Sequence, residues 1–403
     1  MRIALFISKL GGYGGTTFVQ SVGKFLQSAG HSVAVVVCEK NIWSQQLEAI
    51  GLYCIALEIR SWESRVMHVH RLAAHFTRQK YDVVFLNIGG GGGVWPAQAG
   101  LHLWPDSITA VPILHNDATH IYESARLNAD FWNVVIAVSP KVLQLAIDMI
   151  PNKPVRWIAY GILLPANVQL QQRIPWSLPL RLLFVGRLTD QQKGIFLLPS
   201  ILTACRHMDI PVQLTVIGDG PDRKQLEFLL NSQHVGNLVK MCGMMSLNEV
   251  YGAMQTHHLL LFPSNYEGFG LVLLEAQAIG CVPIASKIPG ITDVAIEDEF
   301  SGRLAVAGNA QSFADQIAVM MNPEQWNAHS HAGVQRVQQL YSVEVMGKRY
   351  LDLLEQLKSG MYPLKVQRTQ LACKSRPRFL WRDYIPSHIL SWGRYIKKLS
   401  KDR

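Results

Sequence analysis

Charge is scarce in this chain. Asp, Glu, Lys and Arg make up 17% of its 403 residues, against 49% hydrophobic ones. That balance excludes a disordered, highly charged chain and allows large buried cores. Long apolar runs are also missing: none reaches the roughly 18 residues that would suggest a transmembrane helix. Met1–Ile7 is too short an apolar run for a signal peptide and suits a first strand. The six cysteines (Cys38, Cys54, Cys205, Cys242, Cys281 and Cys373) contain no C-x-x-C pair. They read as small core residues in a reducing compartment. No internal repeat or low-complexity tract stands out.

The charge that is present is unevenly placed. Residues 361–403 hold eleven of the 38 basic side chains and two of the 29 acidic ones. Residues 1–360 keep 27 of each, so the whole excess of +9 sits in the last 43 residues. A neutral body carries a basic tail.

Short Val/Ile/Leu-rich runs alternate with helical stretches along the body, the pattern of α/β units with parallel sheets. A chain of this length usually forms two or more domains. The Gln/Pro-rich stretch 165–179 reads as the linker. Expected domains are therefore 1–165 and 166–345, then a crossover helix 346–360 and the tail 361–403.

The most informative stretch is 264–275, Ser-Asn-Tyr-Glu-Gly-Phe-Gly-Leu-Val-Leu-Leu-Glu. Strand Leu259–Phe262 ends at Pro263, and Gly268 and Gly270 open an apolar helix. Free N–H groups at such a helix start, here Gly268, Phe269, Gly270, Leu271 and Val272, favour an anion. Glu267 lies in the turn and Glu275 about two turns into the helix. A carboxylate beside an anion site makes sense if it binds hydroxyls, as of a sugar or ribose. A second cluster lies upstream: strand Leu182–Val185 runs into Gly186, followed by Arg187 and Lys193 on a loop. An arginine fork and a lysine point charge form a natural diphosphate clamp.

Together these segments resemble the C-terminal domain of a retaining glycosyltransferase of family 4, of the surface-polysaccharide or lipopolysaccharide type, on the GT-B fold. The resemblance rests on Glu267-x7-Glu275, on Gly186-Arg187 with Lys193-Gly194, and on Val216–Pro221 with its Gly218 turn. Val239–Gly243 fits the segment that meets the nucleotide base, at Met241. Pro289–Asp293 and Ser301–Leu304 fit the closing elements. The match runs from about residue 180 to 355.

The resemblance implies two doubly wound Rossmann-like domains with a cleft between them. It also implies transfer of a sugar from a nucleotide diphosphate-sugar to an acceptor hydroxyl with retention. Glu275 would hold the ribose and Glu267 the sugar, while Arg187 and Lys193 would meet the leaving diphosphate. The acceptor hydroxyl would attack with the donor's own assistance; no covalent nucleophile is assigned. No cofactor or metal is expected, and the Asp-x-Asp motif of metal-dependent transferases on the other main fold is missing. Rival readings are a nucleotide-sugar 2-epimerase on the same fold and a non-catalytic sugar-nucleotide-binding protein. A nicotinamide dehydrogenase is disfavoured by the glycine spacing.

In the first half, strand Arg2–Ile7 leads into Gly11-Gly12-Tyr13-Gly14-Gly15, a glycine turn facing the carboxyl ends of the strands. Gly12 and Gly14 are its candidate donor contacts. Tyr13-Gly14 stands where the family carries Ala or Glu after paired glycines. Strand Asp82–Asn87 precedes Gly89–Gly93, a second loop suited to close backbone approach. Strand Ala110–Leu114 ends at His115, which takes the family role of touching the transferred sugar, with His120 as competitor. His68, His70 and His75 read as a solvated helix face.

In the tail, Ile385, Ile389, Trp392, Ile396 and Leu399 fall on one helical face. Cations stand off that face. The pattern suggests an anionic membrane surface, with packing on the first domain as the alternative, and no recognition motif points to nucleic acid. A lipid-linked glycan acceptor and a cytoplasmic protein on the inner face of the membrane follow as expectations.

Overall fold

The computed structural model describes residues 1–11, 14–89, 95–163, 174–364 and 368. The chain forms two compact units: Met1–Val138 with Leu143–Ile158 and Gly347 onward, and Ser139–Val142 with Ala159–Met346. Each is built on one parallel sheet covered by helices.

The first unit contains β1 (Arg2–Lys9), α1 (Gly15–Ser28), β2 (Ser32–Glu39), α2 (Ile42–Ala49), β3 (Tyr53–Ala56) and α3 (Arg65–Gln79). These are followed by β4 (Val83–Ile88), α4 (Trp95–Ala99), β5 (Thr109–Leu114), α5 (Thr119–Leu127), β6 (Val135–Ala137), α6 (Pro140–Met149), which joins this unit from Leu143 onward, and β7 (Val155–Trp157). Strand order is β3-β2-β1-β4-β5-β6-β7. The order reverses between β1 and β4, the switch point at which open α/β sheets bind ligands. Both glycine-rich loops leave the sheet there. β4 is buried along its whole length, as expected of a strand covered on both faces.

The helix starts are chemically specified. Asn41 caps α2 and shares a capping box with Ser44, and Ser64 caps α3 through the Met67 N–H. Such caps satisfy N–H groups that the helix itself leaves open.

The second unit contains β8 (Leu180–Val185), α7 (Asp190–Lys193), α8 (Leu197–His207), β9 (Val212–Ile217), α9 (Arg223–Ser232) and β10 (Val239–Gly243). It continues with α10 (Leu247–Gln255), β11 (Leu259–Phe262), α11 (Leu271–Ile279), β12 (Val282–Ser286), α12 (Thr292–Ala295), β13 (Arg303–Ala305), α13 (Ala310–Val319) and α14 (Pro323–Leu340). Strand order is β10-β9-β8-β11-β12-β13. The switch point lies between β8 and β11, the strands that carry the two motifs. Leu182, Phe184, Val216, Leu261, Ile284 and Phe313 belong to the core around this sheet. α11 is buried almost all round, which explains its apolar sequence without a polar stripe.

The last helix, α15 (Val343–Lys358), begins in the second unit and continues in the first. Within the first unit Gly347 lies against the Phe25 ring so closely that a Cβ would overlap it. Tyr350 meets Phe85 edge-on at 5.6 Å between ring centroids. Packing there, not helix propensity, demands the glycine.

Two sequence expectations are corrected. His68 is buried rather than solvated: its Nδ1 lies 3.4 Å from Glu63 Oε2 and burial lowers its pKa. Only His70 of the three faces water freely, because His68 shares the inner face of α3 with Val69, Leu72 and Phe76. Glu275 is the fifth residue of α11, little more than one turn in, because the helix starts at Leu271.

The tail stripe 385–399 lies outside the described residues. Its base is fixed: Arg368 is fully buried in the first unit. Its N–H donates to Asp106 Oδ1 at 3.0 Å, and Nη1 donates to the Pro105 and Ile108 carbonyls at 2.7 Å each. Burial lowers the guanidinium to about 10. Among the described residues no helix is long and apolar enough to cross a membrane.

Candidate functional site

In the second unit the site is assembled where β8 and β11 end. Gly194, in the left-handed region at φ 58°, closes α7. A Cβ there would overlap the Pro263 carbonyl. Glycine therefore lets the loop after β8 lie directly on the loop after β11. Asn265 fastens the two: its N–H donates to Gln192 O at 2.8 Å, and Nδ2 donates to the Asp190 and Gln191 carbonyls.

This contact brings Lys193 to Glu267, with Nζ 2.5 Å from Oε1. Ser264 Oγ donates to the same oxygen at 3.0 Å, and Gln192 Nε2 approaches Oε2 at 3.4 Å. Lys193 is thus a paired cation, one pole of a buried carboxylate cluster. Arg187 differs: it is exposed and makes no side-chain hydrogen bond or ion pair with a described residue. The clamp read from sequence is one open guanidinium and one lysine shared with Glu267.

Gly186 and Gly218 also meet. A Cβ on Gly218, at φ 133°, would overlap the Gly186 carbonyl, and one on Gly220 would overlap that of Leu188. The Gly186 N–H donates to Ile217 O at 3.0 Å, and the Gly218 N–H to Gly243 O at 2.7 Å. The ends of β8, β9 and β10 therefore form one continuous floor. Met241 lies on it, beside a register shift in β10.

Gly270, at φ 93°, turns the chain into α11. Phe269 is buried, packed edge-on against Tyr160 at 5.8 Å and Tyr341 at 5.6 Å. The amides from Gly268 to Val272 flank this anchor. None of these N–H groups has a partner among the described residues, and the helix behind them favours an anion. Glu275 is buried one turn further on and makes no hydrogen bond or ion pair with a described residue. Burial raises its carboxyl to about 7. Tyr251 of α10 lies in its field, and burial with that charge raises the phenol pKa. A buried carboxylate without donors is costly unless a ligand brings them.

In the first unit, His115 follows β5 and stands beside β4. Its Nε2 lies 2.8 Å from Asn87 Oδ1, while Asn87 Nδ2 donates to Phe6 O at 3.0 Å. A carbonyl can only accept, so the amide nitrogen of Asn87 must face Phe6. Its oxygen then faces His115, and Nε2 must carry the hydrogen. Burial lowers the ring to about 3, so it is neutral. The Phe18 ring meets it edge-on at 4.9 Å.

The glycine loop after β1 is pinned at its start. Asn41 Nδ2 donates to Leu10 O at 2.7 Å, and Thr16 Oγ1 to Gly11 O at 2.6 Å. Gly14 takes φ 29°. Gly12 lies outside the described residues, as do residues 90–94 of the second loop. His120 starts α5 on its exposed side, away from the Asn87 contact. Sequence reasoning missed Ser264, Gln192, Asn87 and Asn41. Ser264 at three residues before Glu267 was a legible signal; the other three act across strands.

Among the described residues no group of three or more His, Cys, Asp or Glu side chains is arranged to hold a metal ion.

Comparison with known proteins places this geometry. Residues 173–333 match the family model of glycosyl transferases group 1. The chain is 30% identical over 143 residues to an uncharacterized glycosyltransferase of Methanocaldococcus jannaschii, covering 36% of this chain and 38% of that one. It is 31% identical over 159 residues to the amylovoran biosynthesis glycosyltransferase AmsK of Erwinia amylovora, covering 37% and 38%. It is 24% identical over 290 residues to the glycogen synthase of Mycobacterium tuberculosis, covering 69% and 65%. The chain thus spans 38% and 54% of the length of two curated glycosyltransferases it matches.

Among solved structures, a glycosyltransferase from Rickettsia africae superposes with a TM-score of 0.72 at 16% identity, covering 88% of this chain and 98% of that one. Anabaena Alr3699/HepE in complex with UDP-glucose superposes with a TM-score of 0.73 at 17% identity, covering 88% and 100%. The fold is α/β, with two Rossmann-like units of the GT-B type.

Proposed function

We propose that the chain is a retaining glycosyltransferase that moves a sugar from a nucleotide diphosphate-sugar to a glycan or glycolipid hydroxyl in cell-surface polysaccharide synthesis. One observation carries the reading: a buried carboxylate without donors, Glu275, stands one turn below a row of open N–H groups at the β8–β11 switch point. Such a pair suits a ligand that is anionic at one end and hydroxylated at the other, as a nucleoside diphosphate is.

In this reading Glu275 accepts from the ribose hydroxyls. The amides from Gly270 to Val272 and the Arg187 guanidinium take the diphosphate. Glu267, held by Lys193 and Ser264, accepts from the sugar. The bond from the anomeric carbon to the diphosphate oxygen breaks, and a bond to the acceptor oxygen forms on the same face. The acceptor's proton passes to the departing diphosphate. Charge grows on that diphosphate, and removing one donor from such a site costs roughly 2.7–4 kcal/mol of barrier. Side chains and amides supply the positive charge, so the scheme calls for no metal. His115 stays neutral and serves by hydrogen bonding and shape. The basic tail contacts an anionic membrane surface that carries the acceptor.

A thermal-shift screen of nucleotide diphosphate-sugars tests the donor. A bound donor stabilises by about 2.7 kcal/mol at a hundred times its Kd. No shift with any nucleoside diphosphate refutes the reading. Mass analysis of products with and without an acceptor glycan separates transfer from epimerisation.

A further inference from the structure

The two oxygens of Glu267 are used unequally. Oε1 accepts from Lys193 Nζ and from Ser264 Oγ, which occupies both of its lone pairs. Lys193 is itself steadied, with Nζ 5.4 Å from the centre of the Phe262 ring. Oε2 has one hydrogen-bond contact with a described residue, Gln192 Nε2 at 3.4 Å. A settled N–H···O bond lies near about 2.9 Å. The Gln192 contact is long by comparison, and Oε2 can take a further donor.

The backbone under Gln192 is braced on several sides. Its carbonyl accepts the Asn265 N–H at 2.8 Å, and Asn265 Nδ2 donates to the Asp190 and Gln191 carbonyls. The Lys193 N–H donates to Thr189 O and the Gly194 N–H to Asp190 O, both at 2.9 Å. Gly194 lies so close to the Pro263 carbonyl that a Cβ would overlap it. The amide is therefore carried to Glu267 by a fixed loop. A carboxylate can only accept, so Nε2 must face Glu267 and Gln192 Oε1 is turned outward. That oxygen makes no hydrogen bond with a described residue, and one Nε2 hydrogen is also left over.

The carboxylate needs no glutamine for its own support, since Lys193 and Ser264 already hold it. A phosphate oxygen is a poor partner here, because it would meet two acceptors, Glu267 Oε2 and Gln192 Oε1. Hydroxyls fit, because each both donates and accepts. One can donate to Oε2 and accept the remaining Nε2 hydrogen. A second, on the adjacent carbon, can donate to Gln192 Oε1.

We infer that Gln192 selects the sugar: Glu267 Oε2 and Gln192 Oε1 accept together from two neighbouring free hydroxyls of the transferred residue. The inference rests on the proposal above that Glu267 meets the donor sugar, and it adds the substrate class, a sugar with an unsubstituted vicinal diol. Sugars deoxygenated or acylated at either position are rejected.

Titration calorimetry tests this with three probes: the sugar nucleotide found in the screen, its single-deoxy analogues and the bare nucleoside diphosphate. In the wild type, loss of the hydroxyl at Glu267 should weaken binding roughly ten- to a hundredfold, and loss of its neighbour roughly three- to tenfold. Gln192→Met keeps the length of the side chain and removes its polar atoms. It should weaken the parent sugar nucleotide roughly three- to tenfold and erase the smaller deoxy penalty. Binding of the bare nucleoside diphosphate should be unchanged, which also shows that the variant folds. Deoxy penalties that are the same in variant and wild type overturn the inference. A variant that weakens the bare nucleoside diphosphate as much as the sugar nucleotide also overturns it and assigns Gln192 to the loop alone. A wild-type chain that binds no nucleoside diphosphate refutes the donor reading and this inference with it, whereas binding without the paired penalties refutes this inference alone.

Discussion

Glu275 offers a test in which stability and function move in opposite directions. Its carboxyl is raised from 4.5 to about 7 by burial. The native state then binds more protons than the unfolded chain between those values, so stability falls as pH rises through the window. Above it, the charged carboxylate costs the ligand-free protein about 3 kcal/mol, at 1.36 kcal/mol per pKa unit. Glu275→Gln keeps the shape and removes the charge. It should be nearly neutral at pH 4 and stabilising by up to about 3 kcal/mol at pH 8. For a domain of 150–250 residues each kcal/mol moves the melting midpoint roughly 2–4 °C, giving some 6–12 °C. Binding of the nucleoside diphosphate found in the screen should weaken in the same variant by roughly ten- to a hundredfold, the worth of a hydrogen bond to a charged group. Wild-type affinity for it should itself fall as the pH drops below 7, since ionised Glu275 is the form that accepts from ribose. Thermal melts at the two pH values and titration calorimetry with that nucleotide read all three. A substitution that destabilises equally at both pH values, or that leaves the nucleotide affinity intact, refutes the reasoning.

Lys193→Ala leaves Glu267 buried beside Ser264 without its cation; breaking a buried pair this way costs roughly 3–5 kcal/mol, visible by denaturation, and transfer activity should fall at least a hundredfold. Asn87→Asp sets a carboxylate against His115 Nε2, so the ring pKa should climb well above its value of about 3, a change that NMR titration of the ring follows; an unmoved pKa refutes the proposed tautomer lock. Cutting the chain after residue 368 keeps the buried Arg368 anchor and should leave the melting midpoint unchanged while weakening flotation on anionic vesicles; equal flotation removes the tail as an anchor.

Much of this protein was legible from local pattern. The strand Leu259–Phe262 has the bounds that the sequence predicts, because four apolar residues closed by Pro263 admit little else. The crossover helix expected over 346–360 runs over Val343–Lys358, starting three residues earlier and ending two earlier. Ser139 is a local signal too: its Oγ accepts from the Val142 N–H at 3.3 Å as a helix cap should. His68 was misread because its place on the inner face of α3 depends on Glu63 and Arg71, and sequence spacing says nothing of a loop that folds back over a helix. The partners of Glu267 and His115 were hidden for the same reason.

The chain's own order of residues determined two parallel α/β units, the glycine turns at their strand ends and the carboxylate pair Glu267 and Glu275, since strand length, glycine and helix start are written within a few neighbours. Only the tertiary structure decided that Lys193 pairs with Glu267, that Asn87 fixes the His115 hydrogen, and that Glu275 is buried without a partner. Each depends on strands that are distant in sequence and adjacent in the sheet, and burial, which sets charge and protonation, is a property of that adjacency.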